Sequence, residues 1–170
     1  MYNTLERMYN IAYTGIQYLG VACVFIWLST YILYVPPETS VQYNQTLAFK
    51  VNRKVDMAYF TFDLDVDFTP CFNWNTKMIF IWVKAKFATE KVPYNTATIW
   101  DTMILSKEKA KLQLTDEKVE YLLMDFGRHL RGNEVELTVE WMVIPWSGAT
   151  TVQRGNSTKF VLPSDYVEMH

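Results

Sequence analysis

Hydrophobic positions along this chain follow two rules, one up to Val35 and another after it. From Ile11 to Val35 no side chain carries a carboxylate, amine, guanidinium or imidazole. At about 1.5 Å per helical residue the run reaches about 37 Å, enough to cross a hydrocarbon core of about 30 Å with some tilt. A bilayer gives backbone groups no water to bond, so the run is predicted to be a membrane-spanning helix. Pro36-Pro37 ends it, because proline lacks the amide donor and disfavours helical geometry in the residue before it.

After Pro37 the period falls to two. Phe60, Phe62, Leu64, Val66 and Phe68 alternate with Thr61, Asp63, Asp65 and Asp67, a half-buried strand. Lys77 to Phe87 sets Ile79, Ile81, Val83, Ala85 and Phe87 against Met78, Phe80, Trp82, Lys84 and Lys86; the second face starts apolar and ends charged, so part of it is expected to be covered. Glu134 to Ile144 sets Glu134, Glu136, Thr138 and Glu140 against Val135, Leu137, Val139, Trp141 and Val143. Weaker patterns predict strands at Gln42–Val51, Ala97–Leu105, Lys111–Leu114, Val119–Met124 and Lys159–Leu162, and a helical turn at Thr115–Val119. Turn chemistry is expected at Thr69-Pro70, Lys91–Asn95, Arg131–Asn133, Trp146–Gly148, Arg154–Asn156 and Pro163–Asp165. Short strands separated in this way predict an all-β, β-sandwich-like domain over residues 36–170, following a 1–10 tail and an 11–35 anchor.

A cleaved signal peptide is the rival reading of the apolar run. Its hydrophobic region would usually hold about 7 to 15 residues and lead to small residues at a cleavage site. Trp27 to Val35 offers no such site, and Tyr9, Tyr13, Trp27, Tyr31 and Tyr34 suit interfacial belts at the two ends of an uncleaved span. Arg7 precedes the run and no Lys or Arg follows before Lys50, which favours a cytosolic amino terminus and a translocated carboxyl domain. Asn44 in Asn-Gln-Thr and Asn156 in Asn-Ser-Thr are candidate glycosylation acceptors for such a domain, Asn156 being expected in a loop and Asn44 near the membrane.

Charge and cysteine content narrow the functional classes. A net charge of −2 with no basic block argues against nucleic acid as a partner. Cys23 lies in the apolar run and Cys71 in the strand-rich part, so no disulfide framework is expected. The only histidines are His129, beside Arg128 and Arg131 where positive charge opposes protonation, and the terminal His170; neither suits a hydrolase triad, and no Gly-x-Ser-x-Gly context exists. Asp63, Asp65 and Asp67 lie about 6.6 Å apart along a strand and lack the glycine and glutamate of a calcium loop, so they read as a solvated face or a contact for a basic partner. Neither a catalytic residue, a metal nor a cofactor is assigned. Trp74 reads first as a plug for one end of the core and second as part of a subunit contact, which Phe80 and Trp82 also suit.

Phe72–Val83 with its Asn-Trp-Asn-x-Lys cluster, Ile99-Trp100-Asp101, Leu130–Asn133, Leu137–Pro145 and the Phe60–Asp63 strand, following one amino-terminal span, resemble subunit 3 of the eukaryotic signal peptidase complex. Two features depart from that family: the Asn52–Met57 connection is short, and Gly132–Glu136 lacks a glycan acceptor. The resemblance implies a single-pass type II glycoprotein of the endoplasmic reticulum membrane with a lumenal β-domain. It further implies a non-catalytic role: supporting a separate serine-peptidase subunit, alongside other small subunits, that removes signal peptides from nascent secretory chains. A stand-alone type II receptor or adhesion ectodomain, and a membrane-tethered glycosidase, are the alternatives from other classes.

Overall fold

The computed structural model describes residues 3–89 and 92–168. Lys91, which opens one of the expected turns, and His170 lie outside them. One helix, α1 (Thr4–Ile32), precedes eight strands: β1 (Glu38–Asn52), β2 (Val55–Asp67), β3 (Thr76–Phe87), β4 (Asn95–Ile104), β5 (Lys111–Lys118), β6 (Leu123–Phe126), β7 (Glu134–Pro145) and β8 (Thr151–Val161).

α1 is long and apolar enough to cross a membrane, and no residue in it is buried against the domain. Apart from its carboxyl end, where Trp27 meets Gly148, its apolar surface has no part of the domain to cover it, which suits a lipid-facing helix. The helix starts seven residues before the expected span and stops three before its end. At the start, the Glu6 carboxylate accepts the Asn3 backbone N–H at 3.4 Å, so a polar first turn extends the helix past the apolar run. At the end, the Pro36 ring would meet the Ile32 carbonyl four residues back, and the helix closes there with Leu33 as its cap.

The strands form two antiparallel sheets. One runs β1-β2-β5 with β6 also paired to β2; the other runs β4-β3-β7-β8. Their inner faces carry the three alternations that the sequence displays. Phe60, Phe62, Leu64, Val66 and Phe68 meet Ile79, Ile81, Val83, Ala85, Val135, Leu137, Val139 and Trp141 in one buried core. The sandwich is closed at the end away from α1 by the buried Asp56 carboxylate, which accepts the Leu130 N–H at 3.2 Å and the Tyr166 hydroxyl at 3.1 Å.

Three local expectations fail, the first two for a shared reason. Thr115–Val119 is no helical turn: β5 continues to Lys118 and bulges where Phe62 pairs with Glu117 but Leu64 with Leu114. Asp116 takes φ +55° there, and its N–H donates to the Asp63 carboxylate at 2.8 Å. Arg154–Asn156 does not break the chain either. β8 runs through it, with a bulge between the Thr138–Ser157 and Glu140–Arg154 pairs. Gly155 is needed because a Cβ would come within 2.2 Å of the Thr39 hydroxyl oxygen and 3.0 Å of the Trp141 ring. Turn-like residues here mark bulges inside strands. The strand expected at Val119–Met124 forms only from Leu123, because the Glu120 and Tyr121 N–H groups turn aside to the Ile99 carbonyl.

Candidate subunit interface

The outer face of the second sheet changes character along its length. Register places Met103 of β4 opposite Phe80 of β3, Phe80 opposite Met142 of β7, and Met142 opposite Val152 of β8. Directly opposed residues in antiparallel strands share a face, so these four form one apolar band across the sheet. Met78 and Ile144 extend it toward the α1 end. Phe80 and Met142 are half-buried by neighbours, whereas Met103 and Val152 are each 61% exposed.

One row further from α1 the face becomes polar. Trp82 lies opposite Asp101 and Glu140, and Glu140 opposite Arg154. The Glu140 carboxylate is buried and accepts from Trp82 Nε1 at 3.1 Å, from Lys84 Nζ at 2.5 Å, and from Arg154 Nε and Nη2 at 3.1 and 2.9 Å. Burial would raise its pKa, but hydrogen bonds and charge from Lys84 and Arg154 outweigh that and hold it below the ordinary carboxylate value. The last rows are charged, with Lys86 3.4 Å from Glu136 and Lys159 2.7 Å from Glu134. An apolar band edged by satisfied charges has the anatomy of a protein contact: a desolvated centre beside a polar rim. The Phe80 and Trp82 rings, 5.4 Å apart between centroids, stand at the boundary between the two zones.

Trp74 does not plug the core. It sits in the turn before β3 and is 59% exposed, while Phe72 packs against the core in its place. Asn75 explains the outward turn: its side chain donates to the Ser147 carbonyl at 2.9 Å and accepts the Ser147 N–H at 3.0 Å, tying the two loops together with Trp74 outside. Met103, Met142 and Val152 are not among the residues singled out from sequence. Parity along β7 was the available signal, because Met142 and Ile144 continue the Glu136, Thr138, Glu140 face.

The histidine and aspartate readings also acquire geometry. His129 does not stand in positive charge alone: its Nδ1 lies 2.9 Å from the Asp125 carboxylate, which also accepts its backbone N–H at 3.1 Å. Asp63, Asp65 and Asp67 do not converge. They take up the Asp116 N–H, the Gln113 amide and the Thr69 N–H respectively. Among the described residues no group of three His, Cys, Asp or Glu side chains could hold a metal ion. Asn156 is exposed, in the β8 bulge rather than a loop. Asn44 is exposed in β1, six residues beyond Glu38 and so about 20 Å along the strand, with its amide donating to Asp116 at 3.0 Å.

A family described as Signal peptidase subunit matches residues 1–165. Signal peptidase complex subunit 3 of Dictyostelium discoideum is 27% identical over 158 residues, 93% of this chain and 92% of that protein. Signal peptidase complex subunit 3 of Homo sapiens is 34% identical over 102 residues, 59% of this chain and 57% of that protein. Adipocyte-related X-chromosome expressed sequence 1 of Mus musculus is 34% identical over 116 residues, 67% of this chain and 64% of that protein. The match along nearly the whole length, on a chain built as one apolar helix and a two-sheet sandwich, makes this protein a member of the signal peptidase subunit family, as an accessory subunit and not the catalytic one.

Proposed function

We propose that this chain anchors in the endoplasmic reticulum membrane through α1, places its sandwich in the lumen, and supports the catalytic serine-peptidase subunit of the signal peptidase complex during signal peptide removal. The observation that carries this reading is the Met103–Phe80–Met142–Val152 band, an apolar strip on a sheet face that would otherwise be polar. It lies toward the α1 end of the sheet, so a partner seated on it is held near the membrane. Phe80 and Trp82 supply rigid aromatic surface there, with Trp74 as a further contact at the same end of the domain. Nascent secretory chains are then met through the peptidase and not by this chain itself.

The test is co-purification of the detergent-solubilised complex. Met103→Asp together with Val152→Asp puts two charges on the exposed ends of the band, and the catalytic subunit is expected to be lost from the purified material by more than tenfold. Unfolding of the chain should change little, because both side chains project outward. Undiminished co-purification would exclude this face as the contact. Lumenal placement has its own measure: Asn156, and secondarily Asn44, are the proposed acceptors, so translation with microsomes should give an endoglycosidase-sensitive species that Asn156→Gln shifts down.

A further inference from the structure

The carboxyl end of α1 rests on the sandwich and borders a cavity there that opens to the surface. Trp27 lies against Gly148, whose φ of +119° and lack of a Cβ permit the approach; an added Cβ would come within 2.3 Å of the indole. The Tyr34 hydroxyl donates to the Gln153 side-chain oxygen, and the Cys71 thiol to the Val35 carbonyl at 3.4 Å. Beside these contacts is a cavity of about 150 Å³, walled by Trp27, Tyr31 and Tyr34 from the helix end and by Asn73, Asn75 and Gln153 from the domain. A cavity of about that size accommodates a benzene-sized guest, and a trimethylammonium group is no larger.

Its lining selects by charge and by hydrogen bonding. No Lys, Arg, Asp or Glu side chain lines it, so a phosphate or carboxylate has no ionic partner inside. The amide oxygens are already engaged: Asn75 Oδ1 with the Ser147 N–H at 3.0 Å, Asn73 Oδ1 with the Asn75 N–H at 2.9 Å, and Gln153 Oε1 with the Tyr34 hydroxyl. A guest that must donate hydrogen bonds gains little from these amides. The Trp27 and Tyr31 rings meet nearly at right angles, 78° between planes and 5.6 Å between centroids, which makes two walls of an aromatic box. Aromatic faces attract cations, and a quaternary ammonium is the cation that needs no hydrogen bond in return. Tyr31 lies one residue from the end of α1, at the depth where lipid headgroups meet a spanning helix.

We propose that this cavity takes the trimethylammonium end of a phosphocholine lipid headgroup and so fixes the sandwich on the bilayer surface. The proposal rests on the membrane-anchored reading of α1, but not on any other subunit. The experiment is native mass spectrometry of the full chain, purified alone in a maltoside detergent and titrated with dihexanoyl phosphatidylcholine, the matching phosphatidylethanolamine and phosphatidylglycerol, and choline chloride. A saturable one-to-one adduct with phosphatidylcholine is expected, at least tenfold tighter than with the other two lipids. It should weaken at least tenfold in Tyr31→Leu and persist in Tyr31→Phe, with thermal unfolding unchanged in both. Equal binding of the three lipids, or undiminished binding in Tyr31→Leu, overturns the proposal. Binding of choline chloride as tight as that of the lipid also overturns it, since the occupant would then be a soluble amine. Carbonate extraction of the chain from vesicles separates failure of the anchor from failure of the site, and co-purification of the peptidase is untouched by either result.

Discussion

Trp82 Nε1 donates to Glu140 Oε2 at 3.1 Å, across the β3–β7 ladder and at the border between the apolar and charged halves of one sheet face. The same carboxylate holds Lys84 and Arg154, so one buried acid sets the orientation of an aromatic ring and two cations. A carboxylate there is tolerated because its acceptor sites are filled, and it keeps the Trp82 ring beside Phe80 instead of free to turn.

Glu140→Gln should therefore destabilise more than an ordinary surface change. The amide removes the charge that compensates Lys84 and Arg154. Breaking a fully buried pair costs about 3 to 5 kcal/mol. Both cations keep solvent access here, so about 2 kcal/mol is expected. For a chain of this size that is a fall of roughly 5 °C in the thermal midpoint. Thermal unfolding of the full chain in detergent measures it; a shift below about 1 °C would mean that water replaces the carboxylate without loss.

Acid sensitivity follows from the same group. Glu140 is held below its ordinary value of 4.5 in the folded chain, so its contribution is complete above that value and is lost as pH falls through the lower folded pKa. Glu136 acts in the same direction, through its Ser157 hydrogen bond first and Lys86 next. The denaturant midpoint should stay level from pH 7 to about 5 and decline below about 4.5. Glu140→Gln should flatten that decline. An equally steep decline in the variant would assign the acid limb to other carboxylates.

The β1–β2 hairpin closes through Arg53 and Lys54 alone, with φ of +47° and +74°. Two residues at positive φ make the mirror-image turn that matches strand twist, and that turn favours Asn-Gly over long side chains. Replacing Arg53-Lys54 by Asn-Gly should raise stability by about 1 kcal/mol, through relief of backbone strain. Equilibrium unfolding in guanidinium would report it as a higher midpoint at unchanged slope. A lower midpoint would show that the two cationic side chains contribute more than the backbone conformation costs.

The parts of this fold that were legible in sequence are those where burial imposes strict parity. Phe60 to Phe68, Ile79 to Phe87 and Val135 to Trp141 alternate because each strand packs one face into the core, and all three strands were placed within a few residues. Bulges were not legible. Asp116 at positive φ and Gly155 beneath Thr39 use the residues that turns use, and only the partner strand distinguishes an inserted residue from a chain reversal. The candidate interface is half visible: Phe80 and Trp82 betray themselves by occupying a polar parity, whereas Met103 and Val152 belong to other strands and join the band only through register. Trp74 misled because its size argues for burial, while the Asn75–Ser147 pairing that turns it outward is a contact between residues far apart in the chain.

Cys71 should behave as an inert thiol. It is buried at the foot of the sandwich, and burial, with the Asp67 charge second, pushes its pKa up to about 11 from 9.0. Two units lower the thiolate fraction near pH 8 by about 100-fold, and shielding slows attack further. In a Cys23→Ser background, maleimide labelling at pH 8 should proceed at least about 100-fold more slowly than for free cysteine, then accelerate to the free rate in denaturant. The linkage runs opposite to that of Glu140. A pKa raised by folding gives a contribution complete below the unfolded value near 9, lost as pH climbs through 11, so stability should drop by about 2 kcal/mol over that interval. Cys71→Ala should remove that alkaline step and leave the acid limb intact. Rapid labelling of the native chain, or an alkaline step that survives the substitution, would place the thiol at an open surface and undo the seating of Val35 on it.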